Sequence, residues 1–270
     1  MRAALVAEYR KTTTTRLWWV LLLVMALYMG FLSAIMGWAV TQGDVTSDVG
    51  GSGEPVVLAA DAVVRAVYTI AVSFGYVFPL LVGALTMSAE FRHKTITPTF
   101  LAEPRRSVVL GAKLVAAGAV GLLFGLAGTV ASTGAGAGVL ALLGKPTFLD
   151  VGSTWRILGQ STLALAVWAL VGVGIGTVLT NQVAVVVVVL AFTQFVEPVL
   201  RFVLVLTDWG KGVAKFLPGA SGEAISGGSF YSEAGLGQLL PWWQGLIVLL
   251  AYAVVFAAIG RLTTLKRDIT

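Results

Sequence analysis

The sequence predicts an all-α, polytopic membrane protein that forms a single domain over residues 1–270. Three observations lead to this class. Hydrophobic residues make up 57% of the 270-residue chain, charged residues make up only 11%, and the apolar residues lie in runs long enough to cross a bilayer. Soluble domains carry roughly 25% charged residues, so a soluble fold of this length is excluded.

Six segments are long and apolar enough to be transmembrane helices, because ~30 Å of hydrocarbon at a rise of 1.5 Å per residue needs about 20 residues. The predicted spans are residues 17–40, 62–87, 108–131, 157–179, 183–202 and 241–260. The fifth contains the valine run Val185–Val189, which would favour a strand in water. A lone strand in lipid leaves its backbone unpaired, so we expect a helix there.

The distribution of charge predicts that both termini lie in the cytoplasm. Six spans place the termini on one side of the membrane, and that side carries most of the Lys and Arg residues, as the positive-inside rule requires for a cytoplasmic face. Those residues are Arg2, Arg10, Lys11, Arg16, Arg92, Lys94, Arg105, Arg106, Lys113, Arg261, Lys266 and Arg267. The net charge of +5 therefore indicates membrane topology and a lipid environment, and we expect no nucleic-acid partner.

Several classes of chemistry are excluded by composition. The chain has no cysteine and a single histidine, His93, which rules out disulfides, a thiolate nucleophile and a His-rich metal site. The run nearest to a P-loop, Gly138–Lys145, has the wrong glycine spacing and is followed by Pro146. We therefore expect that the chain is not an enzyme and binds no cofactor itself.

The segments between the spans differ in character. Residues 41–61 predict an exposed external loop, and residues 132–156 predict a second one that begins glycine-rich. Residues 207–240 are too apolar for a free loop, so we expect an external re-entrant region of short helices. The first sixteen residues fit an interfacial helix, with a disordered basic tail as the alternative.

The cytoplasmic segment 88–106 carries more information than a simple loop. Glu90 and Lys94 have the i, i+4 spacing of a helical ion pair. Phe91 and Ile96 are expected to be exposed beside charged residues, and Thr97-Pro98 is typical of a helix start. The segment is either a loop that only sets topology or a short helix that presents a phenylalanine and charges to a cytoplasmic partner.

Taken in order, these motifs resemble the permease subunits of ABC-2-type exporters, which have a type V exporter-like fold. The matching pieces are Trp18-Trp19, residues 90–96 (EFRHKTI), residues 100–106 (FLAEPRR), Lys113, residues 216–220 (FLPGA) and Arg267-Asp268. The resemblance covers nearly the whole chain and is nearest to small bacterial permeases without a large external domain.

The resemblance implies a pump in the bacterial plasma membrane with two kinds of subunit. Two permease copies, forming a homodimer, would provide the substrate path for drugs, lipids or natural products. A separate ABC ATPase would bind ATP and Mg²⁺ and seat the 88–106 segment as a coupling helix. The implied ATPase-binding residues are Glu90, Phe91, Arg92, His93, Lys94, Thr95, Arg105 and Arg106. A non-transporting scaffold or sensor and an integral-membrane enzyme remain the alternatives.

Residues inside the spans give candidates for a substrate path. They are Met25, Met29, Tyr76, Phe78 and Glu197; the methionines and aromatics are equally typical of core packing, and adaptable apolar surfaces suit amphipathic cargo. Glu197 and Arg201 form an acid–base pair at i, i+4, as do Asp61 and Arg65. Glu197 is therefore either half of a structural pair or a group that gates the path.

Overall fold

The structure is a computed structural model that describes residues 2–42, 59–233 and 237–264, and all secondary structure in these residues is helical. The helices are α1 (Arg2–Thr14), α2 (Leu17–Gln42), α3 (Ala60–Tyr68), α4 (Ile70–Ser73), α5 (Val77–Arg92), α6 (Ile96–Ala102), α7 (Arg106–Leu142), α8 (Gly152–Val178), α9 (Gln182–Ala191), a π-helical turn (Phe192–Val196), α10 (Glu197–Val205), α11 (Asp208–Ala214), α12 (Pro218–Ser226), α13 (Phe230–Glu233) and α14 (Trp242–Thr263). Most of the predicted external loop, and the basic residues Lys266 and Arg267, lie outside the described residues.

Five helices in the described residues are long and apolar enough to span a membrane. They are α2, α7, α8, the continuous α9–π–α10 run and α14. The predicted second span, 62–87, is not one helix: it is interrupted at Thr69 and again at residues 74–76, which leaves α3, α4 and α5 as separate pieces. The chain is thus a multi-pass helical membrane protein, and among its described residues the predicted second span is not a continuous helix.

The third predicted span is longer than expected. Helix α7 continues to Leu142, so residues 132–142, predicted as the start of a glycine-rich loop, are helical. Gly136 explains why glycine is needed there, because a Cβ at this position would collide with the side chains of Val67 and Ser33. The glycine in this part of α7 permits close helix packing.

Helix α8 lies at the centre of the bundle and packs against α5, α7 and α14. Small residues bring these helices together: Gly172 on α8 faces the Leu80 carbonyl of α5, and Gly125 on α7 faces the Thr162 carbonyl of α8. By contrast, α2 leaves large side chains such as Leu27 and Phe31 more than 60% exposed, as a lipid-facing helix does. Gly172 and Gly125 therefore allow helices of the same chain to pack closely.

The valine run is helical, as predicted, and its start has a clear cause. Asn181 caps α9 by accepting hydrogen bonds from the backbone N–H groups of Val183 and Ala184. Further along, the helix widens into the π turn directly before Glu197 and Pro198. Proline lacks the N–H that an α-helical bond would need and crowds the preceding turn, and π turns of this kind relieve such crowding and recur at functional sites.

The remaining segments contain short helices. Residues 207–240 contain the short helices α11, α12 and α13, and α12 is buried along its whole length. The first residues form the helix α1, which packs against α7. The placement of these helices relative to the bilayer stays a prediction.

Candidate functional site

The predicted ATPase-binding segment contains both a buried anchor and an exposed surface. Arg92, His93, Lys94, Thr95 and Arg105 are exposed, whereas Glu90 is buried. The expected pair between Glu90 and Lys94 is wrong, because α5 ends at Arg92 and Lys94 adopts a left-handed backbone conformation with φ of 55°. Lys94 is therefore not on the helix face that Glu90 shares.

Glu90 instead belongs to a group of four charged residues, which we call the Lys113 cluster. Its members are Glu8 of α1, Lys11 of α1, Glu90 of α5 and Lys113 of α7. Lys113 Nζ donates to Glu90 Oε1 at 2.6 Å and to Glu8 Oε2 at 3.0 Å, and Lys11 Nζ donates to Glu90 Oε1 at 2.5 Å. Two acids and two bases balance, so the cluster joins three helices without a net charge.

The electrostatics of Lys11 follow from this arrangement. Partial burial of the ammonium group lowers its pKa, but the hydrogen bonds to Glu90 and Glu8 outweigh burial, and the pKa of Lys11 is raised above its ordinary 10.5. The sequence analysis uses Lys11 and Lys113 as topology signals, and Lys113 also as part of the family resemblance, but it predicts no ion pair for either residue. The i, i+3 spacing of Glu8 and Lys11 was the available hint that α1 presents a paired face.

The surface of the segment is built on a small apolar cluster. Ile96, predicted to be exposed, is buried against Met87, and Phe91 and Phe100 pack partly buried around them. Helix α6 begins at Ile96, ahead of the predicted start at Thr97-Pro98, and this first residue is the buried one. Leu101 on the same helix stays 79% exposed.

Charged side chains frame that surface. The Arg106 guanidinium lies 5.2 Å from the centre of the Phe100 ring, and the exposed Arg105 bonds to Glu103. The Arg105 hydrogen bond lowers the pKa of the Glu103 carboxyl. Arg92 donates to Gln182 at the start of α9. The segment therefore presents basic groups and the exposed Leu101 around the buried apolar cluster of Ile96 and Met87.

A second group of charges, which we call the Arg201 cluster, lies inside the bundle. Arg201 Nη2 is 3.0 Å from Glu197 Oε1, which confirms the predicted pair, and Arg201 Nη1 is 2.8 Å from Glu223 Oε1. All three side chains are at least nine-tenths buried. Glu223 comes from α12 and escaped the sequence analysis, since no periodic pattern connects it with a residue 22 positions earlier.

Hydrogen bonds from α12 and its C-terminal loop complete the Arg201 cluster. The backbone N–H of Gly219 donates to Glu197 Oε1 at 2.6 Å, and Ser229 donates to Glu223 Oε2 at 2.6 Å. A Cβ at Gly219 would meet the side chains of both Glu197 and Arg201, so glycine is what lets this backbone approach the charges. The other predicted acid–base pair, Asp61 and Arg65, also forms, and Glu233 joins it at 3.0 Å from Arg65.

The residues predicted for a substrate path separate into two groups. Tyr76 and Glu197 line the same cavity of about 120 Å³ beside the Arg201 cluster. Phe78 packs, half-buried, against the main core. Met25 and Met29 are fully buried where Gly128 and Gly75 leave room for them, so they pack the core in this structure, and their role in a path stays a prediction.

A larger cavity of about 440 Å³ adjoins the Lys113 cluster. Its walls are mainly apolar and include Trp18, Val82 and Leu85, while Lys11 and Glu90 form its charged end. In the described part of the chain, the acidic side chains and His93 form no group of three or more that would hold a metal ion.

The sequence was compared with known proteins. No model of a protein family matches the chain, and no curated protein matches it significantly.

Proposed function

We propose that this chain is the membrane-spanning permease subunit of an ATP-driven ABC exporter and that a separate ABC ATPase subunit binds ATP and Mg²⁺. The observation that carries the proposal is helix α6, which follows α5 and leaves Leu101 79% exposed, while Glu90 near the end of α5 is anchored to Lys113. A partner that moves α6 pushes on the bundle through this anchor. Nucleotide-dependent affinity of the partner would then bias the permease between two arrangements.

We further propose that the chain crosses a bacterial plasma membrane six times, with both termini in the cytoplasm. The support for this topology is the course of residues 60–92. Arg65 near their start contacts Glu233, whereas Glu90 near their end contacts Lys11 and Lys113. The three pieces α3, α4 and α5 together would supply the crossing that no single helix in this stretch provides.

The proposed cargo is a small molecule that crosses the membrane between two permease copies. The 440 Å³ cavity combines apolar walls with a charged end, which suits a hydrophobic or amphipathic small molecule. We place the complete path between two copies of this chain, because the family that the sequence resembles works as a dimer. In this reading Tyr76 and Glu197 are the path residues that the structure brings together.

Co-purification tests the ATPase partnership. The full chain is expressed in bacterial membranes together with a candidate ABC ATPase subunit, purified in detergent, and assayed for bound ATPase and ATP hydrolysis. Leu101→Asp removes the exposed apolar contact of α6 and is expected to lower ATPase retention at least tenfold. The control is Leu142→Asp, because Leu142 is also a fully exposed leucine (87%), at the far end of α7.

The outcomes separate the competing functions. Retention that is lost in Leu101→Asp and kept in Leu142→Asp supports the permease. An ATPase that binds equally to both variants places its contact elsewhere and overturns the coupling role of α6. A chain that binds no ATPase in either form favours a scaffold, a sensor or a membrane enzyme.

A further inference from the structure

The Arg201 cluster contains two carboxylates and one guanidinium, so it has one negative charge in excess. Glu197 and Glu223 are both within 3.0 Å of Arg201, and no other described cation pairs with either acid. The nearby Arg65 is bonded to Asp61 and Glu233. A buried excess charge is costly unless a counter-charge reaches it, so the cluster is incomplete as it stands.

The hydrogen bonds show where the missing partner belongs. Oε1 of Glu197 receives the bonds from Arg201 and from the backbone of Gly219. Oε2 of the same carboxylate is buried and has no partner among the described residues. Both oxygens of Glu223, by contrast, are bonded. The unsatisfied acceptor is therefore a single atom, on the side chain that lines the 120 Å³ cavity.

The remaining walls of this cavity indicate the class of ligand. Phe74, Tyr76 and Tyr231 contribute aromatic rings, and Ser73 and Gln194 contribute neutral polar groups. Aromatic rings beside a carboxylate are the usual surroundings of an organic ammonium group. The volume approaches the ~150 Å³ of an engineered cavity that accepts benzene, which is too large for one bare metal ion and sufficient for a small alkylammonium.

We propose that this cavity binds the protonated amine of an organic cation, with Glu197 Oε2 accepting its hydrogen bond. The ligand adds the positive charge that the cluster lacks, and its alkyl part lies against the aromatic walls. Gln194 is exposed and marks the mouth, so the amine enters beside the π turn. That amphipathic amines are the exported cargo rests on the proposed export function. That an amine binds in this cavity does not depend on that function.

Binding of n-butylammonium to the purified full chain tests the proposal. Ligand-detected NMR titration is done in a neutral maltoside detergent, so that no lipid head group competes, and 1-butanol is the neutral probe of the same shape. The ammonium is expected to bind at least about tenfold more tightly than the alcohol, since a charge-assisted bond is stronger than a neutral one. Glu197→Gln is expected to abolish that preference.

Two further variants keep the test decisive. Asp208→Asn removes an acid that is fully exposed on the neighbouring helix α11, and the preference for the ammonium is expected to survive in it. Gln194→Trp fills the exposed mouth without touching the buried charges and is expected to weaken binding at least fivefold. It replaces Glu197→Gln as the deciding variant if the latter does not fold.

Specific results would overturn the proposal. Equal affinity for n-butylammonium and 1-butanol would make the site a plain apolar cavity. Displacement of the ammonium by an equal concentration of sodium would make it an inorganic cation site. No ATPase subunit is present in these titrations, so a negative result leaves the proposed exporter function standing, and loss of ATPase binding leaves the amine site standing.

Discussion

Lys113 Nζ and Glu90 Oε1 lie 2.6 Å apart, and the two side chains are 1% and 5% exposed. Their ion pair ties the start of α7 to the end of α5, directly beside the exposed residues 92–95. Glu8 extends it to α1. The residue that the sequence placed on a docking surface is therefore an anchor beneath that surface, and a force applied to the surface reaches three helices.

Replacing Lys113 with methionine is expected to destabilise the protein strongly. The change leaves Glu90 and Glu8 buried with only the half-exposed Lys11 as a partner, and breaking a buried ion pair in this way costs about 3–5 kcal/mol. The measurement is the midpoint of thermal unfolding in detergent. Lys145→Met, at an exposed lysine, is the control and should leave the midpoint unchanged.

A second variant checks the cause of that loss. Lys113→Met combined with Glu90→Gln removes both buried charges of the pair and should recover part of the stability. If the double variant is less stable than Lys113→Met alone, packing rather than charge explains the effect, and the anchor is not electrostatic.

The docking of α1 is expected to fail only at strongly alkaline pH. Burial lowers the pKa of Lys11, but the hydrogen bonds that it donates to Glu90 and Glu8 raise the pKa by more, so the pKa lies above its ordinary 10.5. When folding raises the pKa of a base, the base stabilises the folded protein fully at pH values below its pKa in the unfolded chain. This stabilisation is lost as the pH rises through its pKa in the folded protein. Docking should therefore be constant from pH 6 to about 10 and weaken above 10.5.

A spin label reports this docking directly. The chain has no cysteine, so Tyr9→Cys, at an exposed position of α1, accepts a single label. Label mobility should rise only above pH 10.5, and Lys11→Met should remove the pH step. A mobility change between pH 6 and 8 would assign α1 docking to other groups.

The sequence predicted the helices better than their boundaries, for physical reasons. Hydropathy measures average polarity, and the interrupted stretch around Thr69 and Gly75 is as apolar as its flanks. The sequence of this stretch does not show that a Cβ at Gly75 would collide with the side chain of Met29. Glycine lowers intrinsic helix stability by about 1 kcal/mol, so the end of α7 was assigned to a loop. Packing against α2 and α3 overrides that preference at Gly136.

An ion pair of these sites could be predicted only where its two residues are close in sequence. Glu197 and Arg201 are one helical turn apart, and their pair was found. Glu223 lies 22 positions from Arg201, in a segment without helical periodicity, and was missed. The pair of Glu90 with Lys94 failed because spacing assumes a continuous helix, and α5 ends between them at Arg92.

Close packing of α5 and α8 is expected to tolerate no side chain at Gly172. A Cβ there would collide with the backbone of Leu80 and Ala84, which cannot give way as a flexible side chain would. Gly172→Ala should destabilise by about 1–3 kcal/mol in the same unfolding measurement. Gly159→Ala, on the same helix with open space around it, should be neutral or slightly stabilising. Equal effects would show that the helices are less close than the structure has them.

Arg201 is expected to be the most sensitive residue of its cluster. Its guanidinium reaches Glu197 and Glu223 through different nitrogens, and a lysine ammonium cannot reproduce that fork. Arg201→Met leaves two buried carboxylates facing each other and should cost about 3–5 kcal/mol, with Arg201→Lys in between. Arg65→Met is the matched control, because Arg65 also joins two acids but its side chain is 32% exposed, where ion pairs contribute about 0–1 kcal/mol. Retained stability in Arg201→Met, with n-butylammonium binding unchanged, would mean that the two acids do not depend on a cation at all.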